Sequence, residues 1–233
     1  MRALVIEHDA ITPAGTIGDR LVHHGFELTR LLVVPEERHQ TPDVEVDFPA
    51  PSGFDLVVSM GAPWSVDAEE EIGTWIGGEL ALLREAHDSG VPVLGVCFGG
   101  QALAAALGGG VERAPRPEIG WVAVETREPR LVESGPWFQY HFDRWVTPPD
   151  AVEIARNDVG PQAFRIGRSM AVQFHPEVTV DIVRTWGKSG EKDIRSHGLD
   201  PDELVDRTRE LAPAAERRAH AFVDAFLRHA RLR

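Results

Sequence analysis

The 233-residue sequence holds a single cysteine, Cys97. One thiol cannot close an intrachain disulfide, and it has no second cysteine with which to build a thiolate zinc site. Basic residues are also scarce: 24 Lys and Arg face 37 Asp and Glu, for a formal net charge of -13. So acidic a surface is repelled by phosphate backbones and anionic lipid, which argues against a nucleic-acid or membrane partner. Long apolar runs are missing too. The run after Met1-Arg2 is too short for a signal peptide, and no later stretch has the length to span a bilayer. A soluble, cytoplasmic protein is the expectation, with enough apolar residues for one full core.

What is present falls into two halves. Arg2 to Glu7 reads as a buried strand, Gly15 to His24 as a helix closed by Gly25, and Phe26 to Val34 as a second strand. A loop over Pro35 to Pro51 precedes a third strand, Leu56 to Met60, and a helix over Ala68 to Ser89. Val91 to Val96 is a fourth strand, followed by helix-forming residues from Gln101 to Leu107. This alternation of strand and helix predicts a parallel sheet whose ligand lies beyond the carboxyl ends of the strands. In the second half Trp121 to Thr126, Trp137 to Thr147, Val152 to Arg156, Ala163 to Gly167 and Met170 to Phe174 read as short strands joined by hairpins, with a tip at Arg168-Ser169. Helices are expected over Val180 to Trp186, then, after a polar loop from Gly187 to Asp202, over Glu203 to Leu211 and Ala214 to Arg231, broken by Pro213. The expected fold is α/β: a three-layer, doubly wound, mainly parallel sheet of flavodoxin-like type, with added antiparallel strands and C-terminal helices. One domain spans 1–233, with 187–233 as its helical extension.

The cysteine stands where the fourth strand meets its helix, in Gly95-Val96-Cys97-Phe98-Gly99-Gly100-Gln101. Such a turn projects a nucleophile from the end of a sheet. The following N–H, that of Phe98, then faces the same reacting carbonyl, and the helix N-terminus favours thiolate over thiol. A thiolate nucleophile needs a base, and the base needs a group that fixes its tautomer. His175-Pro176-Glu177, at the end of an apolar strand, supplies both from one rigid turn. Gly61, in Met60-Gly61-Ala62-Pro63, ends a strand in small residues, and its N–H is the natural second donor to an oxyanion.

These segments together resemble the class I glutamine amidotransferases, the family with a Cys-His-Glu triad that hydrolyses glutamine to supply ammonia. The family elbow Gly-x-Cys-x-Gly-x-Gln matches Gly95 to Gln101, its His-Pro-Glu matches His175 to Glu177, and its Gly-x-Pro matches Gly61 to Pro63. Tyr140-His141-Phe142-Asp143 is similar to the family's His-x-Asp loop, and Glu118 to Trp121 to a strand beginning common in stand-alone members akin to the glutaminase domain of GMP synthase. The resemblance implies that Cys97 is the nucleophile, His175 the acid and base, Glu177 its orienter, and Gly61 and Phe98 the oxyanion hole. It implies too that Gln101, Tyr140 and Phe142 bind the glutamine, with neither metal nor organic cofactor. Three functions stay open: a glutaminase feeding a synthase subunit that accepts the ammonia, a stand-alone γ-glutamyl hydrolase or peptidase acting on other γ-glutamyl amides, and a non-catalytic binding or regulatory relative. Among the remaining residues, His141 reads as structural, His23, His24, His220 and His229 as solvent-facing, Trp121, Trp137, Trp145 and Trp186 as core, and Trp64 as a wall of the substrate mouth.

Overall fold

The computed structural model of the chain describes residues 1–233. Its strands are β1 (Arg2–Glu7), β2 (Glu27–Leu32), β3 (Leu56–Ser59), β4 (Val93–Val96), β5 (Gly110–Thr126), β6 (Gly135–Val146), β7 (Val152–Arg156), β8 (Pro161–Ile166) and β9 (Ser169–Val172). The helices are α1 (Gly15–His23), α2 (Glu69–Asp88), α3 (Phe98–Ala106), α4 (Val180–Ser189), α5 (Glu191–Ser196) and α6 (Pro201–His229). All nine strands join one sheet in the order β2-β1-β3-β4-β9-β8-β7-β5-β6. Pairing is parallel from β2 to β9 and antiparallel from β9 to β6. The α/β class, the doubly wound parallel half and the antiparallel addition are thus as the sequence predicts.

Side-chain alternation builds the three layers. Ala3, Val5, Leu56, Val58, Leu94 and Val96 turn to one face, where Ile17, Leu21, Phe222 and Phe226 of α1 and α6 cover them. Leu4, Ile6, Val57 and Val93 turn to the other, under Trp75 and Leu83 of α2 and Phe98 and Leu103 of α3. Strands buried on both faces are continuously apolar, as parallel central strands must be. No helix is long and apolar enough to cross a membrane.

Four expectations need correction. β5 begins at Gly110 rather than Trp121, and its pairing with β6 shifts register between Arg113 and Glu118. Pro115 and Pro117 lie within that shift and donate no ladder bonds, so the early half reads as a loop in sequence. The hairpin tip is Gly167-Arg168, because Ser169 already pairs with Ile166 and Gly167 takes φ 54°. Most of 187–202 is helical: α4 runs on to Ser189, and α5 is tied down by the buried Ile194. Finally, α6 continues through Pro213. Proline removes the bond to the carbonyl of Arg209, but both residues are exposed, which leaves that carbonyl open to solvent, while Val205, Thr208, Phe222 and Phe226 are buried on either side.

Candidate active site

The elbow is strained as its shape requires. Cys97 has φ 50° and ψ -108°, one of two non-glycine residues with positive φ. Its N–H donates to the Val172 carbonyl at 2.8 Å, so the backbone of the cysteine hangs from β9. α3 starts at once, and its first turn lies hard against β3: a Cβ at Gly99 would come within 2.1 Å of the Ser59 carbonyl oxygen. That close approach leaves no room for a side chain, which fixes glycine two places after the cysteine. Strain of this kind costs roughly 1–3 kcal/mol and is held only by surrounding structure.

β9 and β4 are parallel neighbours, so the segment that follows β9 passes beside the elbow. His175 donates its backbone N–H to the Phe138 carbonyl at 2.8 Å, and its Nδ1 lies 2.7 Å from Glu177 Oε1. Its Nε2 makes no hydrogen bond of proper geometry and shares the cleft with the Cys97 sulfur. Burial opposes a charge on this ring, but the charges of Glu177 and Cys97 outweigh it and raise the His175 pKa to about 10. The imidazole is gripped on two more sides. Trp186 meets it edge-on with ring centroids 4.8 Å apart, and a Cβ on Gly61 would stand 3.1 Å from its Cε1. Trp186 is therefore a wall of this cleft as much as core, fixed by its Nε1–H donating to the Ile11 carbonyl at 2.9 Å.

Every other expected site residue borders the same space, a cleft of about 340 Å³ beyond the carboxyl ends of β1, β3, β4 and β9. Gly61 and Phe98 flank Cys97 there. The Gly61 N–H has no protein partner, and that of Phe98 opens a helix, where N–H groups lack intrahelical acceptors. Tyr140 brings its carbonyl oxygen 4.0 Å from Cys97 Sγ. Its phenol is pushed up to about 12 by burial and the nearby Asp193. Phe142 lies at the rim under the Arg113 guanidinium, 5.2 Å from its ring centroid. Trp64 lines the mouth, as expected. Gln101 is buried, and its Nε2 already donates to the Asp143 carbonyl at 3.0 Å and to Gln173 Oε1 at 3.3 Å.

Gln173 does not stand out by its residue type. It sits two places before His175 and donates Nε2–H to Cys97 Sγ at 3.5 Å, so Asp143, Gln101, Gln173 and Cys97 form one chain of hydrogen bonds. Period-two side-chain direction along the strand, which puts 173 and 175 on one side, is the signal that could have found it. His141 is structural, as its sequence context suggests: its Nδ1 meets the Asp143 carbonyl at 2.9 Å and its Nε2 Glu118 Oε2 at 3.1 Å. Burial pushes the Glu118 carboxyl up, but hydrogen bonds from His141, Asn157 and Gln162 hold it lower than usual. His24 corrects the solvent-facing expectation, since its ring is nearly buried and its Nε2 is 2.6 Å from Asp224 Oδ1.

Comparison with known proteins agrees with this geometry. The family model of the class-I glutamine amidotransferases matches residues 16–184. The chain is 30% identical over 173 residues to a separate subunit of the glutamine-hydrolyzing GMP synthase of Saccharolobus solfataricus, covering 68% of this chain and 88% of that subunit. It is 35% identical over 120 residues to the GMP synthase of Stenotrophomonas maltophilia, and spans 23% of that enzyme's length. Among solved structures, a glutamine amidotransferase from Thermotoga maritima superposes with TM-score 0.83 at 23% identity, over 99% of this chain and 98% of the other. One from Methylobacillus flagellatus does so with TM-score 0.83 at 25% identity, over 98% and 94%. With the elbow, the His-Pro-Glu turn and the small-residue turn gathered on one cleft in a matching fold, the chain belongs to the class I glutamine amidotransferase family.

Proposed function

We propose that the chain hydrolyses the γ-carboxamide of glutamine through a γ-glutamyl thioester on Cys97. The observation that carries this is the imidazole of His175, pinned by Glu177 at Nδ1 and open at Nε2 toward the elbow sulfur. With its pKa raised to about 10, His175 holds a proton at neutral pH and is charged to act first as an acid.

The Cys97 thiolate adds to the amide carbon, and the carbonyl electron pair moves to oxygen, where the N–H groups of Phe98 and Gly61 receive it. As the oxyanion collapses, the C–N bond breaks and the departing nitrogen takes the His175 proton, leaving as ammonia. The ring, now neutral, removes a proton from water, and the hydroxide adds to the thioester. Collapse of the second tetrahedral adduct releases glutamate and restores the thiolate beside the charged imidazole. Each donor is an ordinary backbone or side-chain group of this chain. Tyr140 and Phe142 are placed to hold the amino-acid end of the substrate, and Gln101 shapes the floor beneath it.

A synthase subunit that takes up the ammonia is the partner this reading favours. The match to a separate GMP synthase subunit over 88% of that subunit's length supports it. The deciding experiment is ammonia and glutamate release from L-glutamine by the purified chain, with Cys97→Ala as control. Brisk, Cys97-dependent release supports hydrolysis by the chain alone. Release that requires a synthase identifies a gated site, and Cys97-dependent cleavage of a larger γ-glutamyl amide with none of glutamine identifies the hydrolase alternative. Release unaffected by Cys97→Ala refutes the mechanism.

A further inference from the structure

Behind the small-residue turn lies a polar cluster that the proposed reaction leaves unused. His8, in the loop after β1, is fully buried. Its Nδ1 is 3.1 Å from the Gly61 carbonyl oxygen, and its Nε2 is 2.9 Å from Glu79 Oε2. Glu79, on α2 and equally buried, accepts a hydrogen bond at its other oxygen from Ser59 Oγ at 2.7 Å. A carbonyl only accepts, so His8 Nδ1 carries a proton whatever state the Glu79 end takes. Burial opposes a positive charge on the ring, but Glu79, with a smaller contribution from Asp9, holds the His8 pKa above its ordinary value.

The same ring reaches the other half of the proposed oxyanion hole. It packs edge-on against Phe98 with centroids 4.6 Å apart and leans on Trp75 at 5.7 Å. One side chain thus bonds Gly61 and braces Phe98. Gly61 rotates more freely than any other residue of that turn, and a bond to its carbonyl restrains the dihedrals that also aim its own N–H. A stability role alone accounts poorly for the cluster, since buried ion pairs are commonly no more stabilising than apolar residues of similar volume.

We propose that His8, held by Glu79, is a positioning residue that anchors Gly61 by its carbonyl and braces the Phe98 ring, so that the Gly61 and Phe98 N–H groups of the oxyanion hole stay aimed at the cleft before substrate arrives. This rests on the hydrolase reading above, which gives those N–H groups an oxyanion to receive.

Two polar replacements separate positioning from packing. Asparagine at position 8 places its amide where Nδ1 was and can still donate to Gly61, whereas glutamine reaches toward Glu79 and leaves the carbonyl unbound. His8→Gln should lower kcat on glutamine ten- to a hundredfold with KM within about threefold, the loss expected from a donor displaced by a fraction of an ångström. His8→Asn should recover most of it. Iodoacetamide alkylation of Cys97 forms no oxyanion and should keep its wild-type rate in both. In wild-type protein, 1H–15N NMR of the histidine rings should show His8 Nδ1 protonated from pH 5.5 to 8.5. An unprotonated Nδ1, equal kcat loss in the two variants, or no loss in either overturns the proposal. If wild-type protein releases no ammonia in a Cys97-dependent way, with or without a synthase, the hydrolase reading fails instead. The clamp is then decided by the Gly61 and Ala62 amide resonances, which must move in His8→Gln and hold in His8→Asn; any other pattern refutes it.

Discussion

Replacing Glu177 by glutamine keeps every heavy-atom position and removes one charge, so its effect isolates what that carboxylate does for His175. Glu177 is fully buried, with Oε1 on His175 Nδ1 at 2.7 Å and Oε2 without a partner. The amide has two placements. With its oxygen on Nδ1 the tautomer is kept, but an NH2 group is stranded where Oε2 was, at a cost of about 1–3 kcal/mol. With its nitrogen on Nδ1 the ring must move its proton to Nε2, which no longer accepts one from water. Either way the imidazolium loses its counter-charge. The rise of the His175 pKa from 6.5 to about 10 corresponds to roughly 5 kcal/mol in favour of the protonated ring at 1.36 kcal/mol per pH unit, shared between Glu177 and Cys97. Because that folded-state value is raised, the stabilisation is complete below pH 6.5 and is lost as pH climbs toward 10. Glu177→Gln should therefore lose most stability at pH 6 and progressively less as pH climbs, down to the pH-independent cost of the stranded amide, by urea unfolding at each pH. Its kcat should fall by a factor of about 100 to 10,000. The iodoacetamide reaction of Cys97, followed by mass spectrometry, should shift its midpoint to higher pH. An unshifted alkylation profile with wild-type kcat would remove Glu177 from the chemistry.

Three further perturbations follow from the geometry. Cys97→Gly should abolish turnover and unfold at higher urea than Cys97→Ala, by about 1–2 kcal/mol, because glycine alone is unstrained at φ 50° and ψ -108°; equal stability would deny the strain. Pro213→Ala should restore the bond to the Arg209 carbonyl and raise stability by up to about 3 kcal/mol with kcat unchanged, and a lower melting temperature would contradict the account of α6. Asp224→Asn should destabilise the fold at pH 7 by about 2 kcal/mol. Its bond from Arg20, helped by His24, holds the Asp224 carboxyl below its usual range, so the deficit should shrink as acid protonates the wild-type group. A deficit as large at pH 2 as at pH 7 would assign the loss to packing.

The parallel half of the fold was legible because each central strand is an uninterrupted apolar run, and burial on both faces demands that. β5 was half hidden, since Arg113 to Pro117 carries the charge and prolines of a loop while lying along a register shift. α6 departs from expectation at Pro213, where solvent relieves what sequence rules penalise. At the site, Cys97, His175 and Glu177 stood out by chemical type and tight local spacing. His8 did not: one histidine after one strand has no pattern until Gly61 and Glu79 are seen to converge on it. Trp186 was hidden for a related reason, as a large ring lining a cleft and one filling a core have the same letters around them.

The pairing of β4 with β9 has a consequence for biosynthesis. Gln173 and Cys97 are 76 residues apart in sequence, yet they touch because β9 inserts beside the nucleophile's strand. A growing chain that has made the elbow and everything up to β8 owns a thiol without His175 or Glu177 beside it, and an unfilled slot in the middle of its sheet. On the proposed mechanism, chemistry and the closing of that slot arrive with the same few residues. Appearance of glutaminase activity during translation or refolding would then time the seating of a central strand, and a chain stopped short of Glu177 would be inert as well as unfinished.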